Sequence, residues 1–223
     1  MTVVSITGFT DPFSSMVHYL FALVFFILGL WVLQKKTCNK LEFISVAILV
    51  FSTVAMLSLS ATYHLLDQGS TGRAVLQRLD HAAIFVLIAG TFTPIHTLLF
   101  KGFQRWGILV IIWTLAICGI VFKSIFFNEM PEWLGLIFYL GMGWFGVLTG
   151  YLLVRRFDFH FIKYLLWGAA AYTSGAVIEF LRAPEIIAGV LGPHEIFHIA
   201  VIAGIACHWQ FVIVILNKIN YKQ

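Results

Sequence analysis

The residues best suited to chemistry are His194 and His198, four apart in Gly192-Pro193-His194-Glu195-Ile196-Phe197-His198, with the apolar run Ile199 to Leu216 following directly. Positions i and i+4 share one face of a helix, so the two imidazoles can converge on a single metal ion. Pro193 suits the first helical turn, where its missing N–H is no loss. The pattern HExxH occurs in soluble zinc proteases, where a third ligand lies downstream and the Glu is the general base. In this chain the third ligand has to come from another segment.

Other polar side chains sit inside apolar stretches, where each is a functional candidate because burial in lipid is costly. Ser60 and His64, again i and i+4, lie near the end of one apolar run, and Asp80 and His81 lie near the start of the next. His81 points roughly 100° away from Asp80, which favours packing. His18, His96 and His160 read as interfacial or hydrogen-bonded core groups; His96 is about 24 Å along its helix from Asp80. His208 lies at another angle from His198 and reads as a buried polar contact. Glu179 and Arg182, three apart, read as a local ion pair at a helix end.

The elements that must position these groups follow from composition. Of 223 residues, 61% are hydrophobic and 11% charged, far from a soluble domain and typical of a polytopic membrane protein. Runs at Ser14 to Leu33, Leu41 to Leu66, Ala74 to Phe100, Trp106 to Phe122, Trp133 to Val154, Tyr164 to Leu181 and Pro193 to Leu216 are each long enough to span a bilayer. The expectation is an all-α membrane protein, a seven-transmembrane-helix bundle in a single domain over residues 1–223. The net charge of +4 comes from basic residues in the short breaks between runs, so they act as topology signals, and no nucleic-acid partner is expected.

Arg73, Arg78, Lys123 and Arg182 fall on the N-terminal side, and Lys35, Lys36, Lys40, Lys101, Arg105, Arg155, Arg156, Lys163, Lys218 and Lys222 on the other. The positive-inside rule then places the N-terminus outside and the C-terminus in the cytoplasm of a cell-membrane protein. Cys38, Cys118 and Cys207 form no CxxC, so neither disulfides nor a thiolate metal site is expected. The first thirteen residues carry no Lys or Arg and no cleavage pattern, so the first span is expected to be retained. Gly146 and Gly150 form a GxxxG that reads as close helix packing, with a homodimer as the alternative.

With seven crossings, the end of the second span and the starts of the third and seventh share one side of the membrane. His64, Asp80, His194 and His198 therefore lie at similar depth. Three histidines and one carboxylate match a catalytic zinc site, in which three protein ligands leave the fourth position open.

The set Ser60-x3-His64, Asp80 early in the third span and His194-x3-His198 opening the last resembles the hemolysin III branch of the progestin and adipoQ receptor family. The resemblance implies a seven-helix bundle holding Zn2+ on His64, His194 and His198, with Asp80 reaching the zinc through water and Ser60 beside it. A similarity to membrane alkaline ceramidases implies hydrolysis of an amide bond in a membrane lipid and a role in lipid homeostasis. The chain has no long N-terminal region like that of the eukaryotic receptors, so nothing supports hormone binding. Its charge bias puts the metal side outside, whereas the adiponectin receptor branch holds it on the cytoplasmic side.

The expected activity is that of an intramembrane zinc amidohydrolase, the metal polarising the scissile carbonyl and activating water. Asp80 is the expected proton shuttle, Ser60 a group that orients a ligand or donates to the oxyanion, and Glu195 the alternative base. Two other readings stand beside it. One is a non-enzymatic sensor with structural zinc; the other is a cytolysin, which the branch name suggests but which lacks the basic amphipathic helix of membrane-lytic segments.

Overall fold

The computed structural model describes residues 10–220, Glu132 by its backbone alone. Lys222 and the first nine residues of the expected leaderless start lie outside them. The elements are helices: α1 (Pro12–Lys35), α2 (Lys40–Leu65), α3 (Thr71–Leu99), α4 (Phe103–Ile125), α5 (Glu132–Trp144), α6 (Gly146–Val154), α7 (Lys163–Leu181) and α8 (Pro193–Asn220).

Local chemistry explains where several of them begin. Pro12 and Pro193 occupy the first turns of α1 and α8. Asn39 caps α2 by accepting the Glu42 N–H at 3.0 Å, while the Glu42 carboxylate accepts the Cys38 N–H at 2.7 Å. Ser70 Oγ accepts the Arg73 N–H at 3.2 Å to open α3. Glu195 Oε2 accepts the Gly192 N–H at 2.9 Å, the reach-back of a capping box at the head of α8.

Among the described residues, six segments are long and apolar enough to cross a membrane: α1, α2, α3, α4, Trp133–Val154 and α8. The fifth is α5 and α6 taken together, joined at Phe145, whose backbone stays right-handed helical. The sixth apolar run forms α7, a helix of 19 residues that carries Lys163 and Glu179 and falls outside those six. Leu20, Ile27, Val110, Ile117 and Trp167 project outward, the apolar exterior that a bilayer solvates.

The main core joins α1, α2, α3, α7 and α8 through Phe25, Leu49, Leu57, Leu87, Ile95, Leu165, Trp209 and Phe211. Trp209 also donates its indole N–H to Thr53 Oγ1 at 3.1 Å, satisfying the one polar atom it buries. A smaller cluster of Phe85, Ala89, Ile112 and Ala116 packs α4 onto α3.

Close helix approach depends on glycines other than the expected pair. A Cβ at Gly175 of α7 would lie 2.6 Å from Ala200 Cβ of α8, and one at Gly90 of α3 would lie 2.1 Å from Ser52 Oγ of α2. At Gly150 it would meet nothing within 4 Å, and at Gly146 only Phe92 at 3.7 Å. Packing inside the chain therefore does not require the GxxxG.

Candidate metal centre

The start of α1, the end of α2, the start of α3, the end of α7 and the start of α8 meet at one end of the bundle, and the polar residues of the sequence gather there. The ligand atoms of His64, His194 and His198 all lie within 4.8 Å of one another. His64 Nε2 and His194 Nε2 are 3.4 Å apart. The His198 ring centroid lies 4.3 Å from that of His194 and 4.8 Å from that of His64. His64 and His198 are buried, and the His194 side chain is 41% exposed, so the centre opens on the His194 side.

The outer nitrogens decide what the inner ones can do. His64 Nδ1 donates to Asp11 Oδ2 at 2.8 Å, and His194 Nδ1 faces Glu179 Oε1 at 3.5 Å. An imidazole that holds its proton on Nδ1 presents a lone pair at Nε2. Two such lone pairs facing each other at 3.4 Å repel unless a cation lies between them. Four-coordinate zinc, with Zn–N near 2.05 Å, needs ligand nitrogens roughly 3.3 Å apart. The separation of the His64 and His194 nitrogens and the donor type of all three side chains fit that ion, and a carboxylate behind a ligating histidine is the usual outer partner.

Asp11 was not picked out by sequence reasoning. Backbone bonds from Asp11 N to His64 O at 3.0 Å and from Thr10 N to Leu65 O at 3.3 Å strap the entry of α1 onto the end of α2. Arg73 from α3 completes the grip, with Nη2 3.1 Å from Asp11 Oδ2 and its guanidinium over the Tyr63 ring at 4.6 Å. Burial pushes the Asp11 carboxyl up, but hydrogen bonds and charge from His64 and Arg73 outweigh it and hold the group below the usual carboxylate range.

The catalytic candidates separate. Asp80 is buried, with the buried Ser60 hydroxyl beside it and His194 within electrostatic reach, without joining the ligand group. Glu195 has its carboxylate turned back to cap Gly192. Glu179 and Arg182 form the expected ion pair at 2.9 Å, and the same Glu179 oxygen also faces His194, so the pair borders the candidate metal centre.

The remaining histidines divide as well. His96 donates Nδ1–H to Gln104 O at 2.8 Å and accepts from the Thr149 hydroxyl at 2.9 Å, a satisfied core group. His81 donates to Gln77 O at 2.7 Å and its ring packs on Phe127. His160 accepts from Lys163 at the surface, and His208 rests against Gly168 and Tyr172. His18, expected to be interfacial or a hydrogen-bonded core group, is buried with its ring centroid 4.3 Å from that of His198. The signal for Asp11 and His18 was present: residues 11, 14, 15 and 18 form a polar stripe at helical spacing on an otherwise apolar span.

A family model described as haemolysin-III related matches residues 7–209. Hemolysin-3 of Bacillus cereus is 37% identical over 128 residues, 57% of this chain and 55% of that protein. A hemolysin-3 homolog of Bacillus subtilis (strain 168) is 32% identical over 170 residues, 76% of each chain. An ADIPOR-like receptor, IZH1, of Eremothecium gossypii is 27% identical over 181 residues, 70% of this chain and 54% of that protein. The match thus spans about half the length of the first and third of these relatives.

Proposed function

The chain belongs to the haemolysin-III-related family, the hemolysin III branch of the progestin and adipoQ receptors, and from that footing we propose that it is a zinc-dependent hydrolase of a lipid amide bond. In this reading α7 crosses the bilayer as a seventh span, and Zn2+ is held by His64, His194 and His198. The observation that carries it is the convergence of three imidazoles whose ligand atoms lie within 4.8 Å of one another.

Zinc held there would supply Lewis acidity to a carbonyl and to water. The protein groups do the rest. Asp11 and Glu179 fix the rings of His64 and His194, each holding the proton on Nδ1. Asp80 takes a proton from the attacking water as its oxygen bonds to the acyl carbon, then passes that proton to the amine nitrogen as the C–N bond breaks, leaving a fatty acid and an amine. Ser60 holds the Asp80 carboxylate in place through its hydroxyl. The open His194 side gives a lipid headgroup access from the membrane boundary. By the charge bias this end faces outside the cell.

The test is the metal content of the purified protein beside that of His64→Ala, followed by incubation of the loaded protein with ceramide-like acyl amides. Near-stoichiometric zinc lost in the variant, with release of fatty acid by the wild type, is the expected result. No zinc in either protein would overturn the reading. The ligands also tie α2 to α8, which favours a second reading: a structural zinc in a sensor. That reading gains if chelation lowers the melting temperature and no acyl amide is cleaved.

A further inference from the structure

Each of the three histidines has an outer ring nitrogen to satisfy. His64 Nδ1 meets Asp11 and His194 Nδ1 faces Glu179. His198 Nδ1 is buried and has no hydrogen-bond partner among the described residues. Against the His198 ring lies that of His18, 2% exposed, the two ring centroids 4.3 Å apart and the planes inclined at 33°. Neither nitrogen of His18 has a partner among the described residues, and the same holds for the buried hydroxyls of Ser14 and Ser15 one turn earlier on α1.

Buried polar groups are almost always paired, with protein or with ordered water. Five such atoms, His198 Nδ1, both nitrogens of His18, Ser14 Oγ and Ser15 Oγ, stand unpaired among the described residues, on the first turns of α1 and on the His198 ring packed against it. His18 lies outside the group of mutually close ligand atoms, so it does not serve as a fourth ligand.

We propose that His18 is the outer hydrogen-bond partner of His198, reached from its Nδ1 through ordered water that Ser14 and Ser15 help to hold. The start of α1 then supports the third ligand as Asp11 supports the first and Glu179 the second. His18 differs from those two in being neutral and both donor and acceptor, so it fixes the ring and tautomer of His198 without adding charge to the lipid-embedded side of the centre. His18 is a positioning residue, and its role rests on the metal reading above.

The test compares zinc and cobalt(II) affinity, by competition with a chelator, in the full chain and its His18→Phe, His18→Gln and Ser15→Ala variants. Phe keeps a ring against His198 but has no nitrogen, so affinity falls roughly 10- to 100-fold. Gln restores a donor and an acceptor and recovers most of the loss. Ser15→Ala removes one hydroxyl and no bulk, and gives a smaller fall; it serves if a His18 variant does not fold. The cobalt(II) d–d band keeps its shape throughout, because the ligands are unchanged. Retention of affinity by Phe with loss by Gln would make His18 a packing residue, and a changed band in Phe would make it a ligand; either overturns the proposal. An unchanged Ser15→Ala overturns the water network. A wild type that binds no metal fails one step earlier, at the metal reading, and takes this inference with it.

Discussion

Asp11 Oδ2 lies 2.8 Å from His64 Nδ1, and that contact leaves Nε2 as the nitrogen of His64 that looks toward His194 in the candidate metal centre. The carboxylate is itself held by Arg73 at 3.1 Å and by the backbone pairing of Asp11 with His64. A residue at the head of α1 thereby sets the tautomer of a candidate ligand at the foot of α2.

Replacing that carboxylate weakens metal binding without removing a ligand. Asp11→Ala lowers zinc affinity roughly 10- to 100-fold, and Asp11→Asn, which keeps an acceptor but not the charge, lies between it and the wild type. Competition with a chelator measures both. Unchanged affinity in Asp11→Ala would remove Asp11 from the site.

The two acidic candidates for proton transfer give opposite phenotypes. Asp80→Asn abolishes cleavage of an acyl-amide lipid and leaves zinc content intact. Glu195→Gln keeps turnover and, because its amide oxygen still accepts the Gly192 N–H, changes stability by less than about 0.5 kcal/mol in thermal unfolding. Loss of turnover only in the Glu195 variant would exchange their roles.

Metal removal lowers thermal stability in proportion to occupancy. At free zinc a thousandfold above the dissociation constant the ion contributes about 4 kcal/mol, so a chelator shifts the melting temperature of the wild type downward. His198→Ala melts at the same temperature with and without chelator. An equal shift in both would place the responsive metal elsewhere.

Two glycines, one on α7 and one on α6, respond differently to one methyl group. Gly175→Ala forces α7 away from Ala200 and costs about 1–3 kcal/mol, and metal affinity falls with it because Glu179 rides on the same helix. Gly150→Ala, with nothing within 4 Å of its new Cβ, changes stability by less than about 0.5 kcal/mol. A cross-linking yield reduced by Gly150→Ala would restore the glycine pair as a contact between two copies of the chain.

Much of this protein was legible in one dimension. Apolar runs of bilayer length mark helices because a chain in lipid must satisfy its own backbone, and six of the runs meet that standard of length and composition. The i, i+4 spacing of His194 and His198 places both on one helix face whatever surrounds them. Up-and-down crossing then puts His64 and Asp80 at the same end.

Which ligand each member of the outer layer meets was decided only by tertiary structure. Asp11, His18, Glu179 and Arg73 stand on three helices other than those bearing the ligands, and no spacing within one helix relates them to His64, His194 or His198. Glu179 read as a cap because its nearest neighbour in sequence, Arg182, does pair with it. Its second contact, to His194, exists because Gly175 lets α7 lie close against α8. Ligand spacing is a property of helix geometry and can be read along the chain. The hydrogen bonds that aim those ligands depend on how closely whole helices approach one another, and that distance is set by small residues and packing across the bundle.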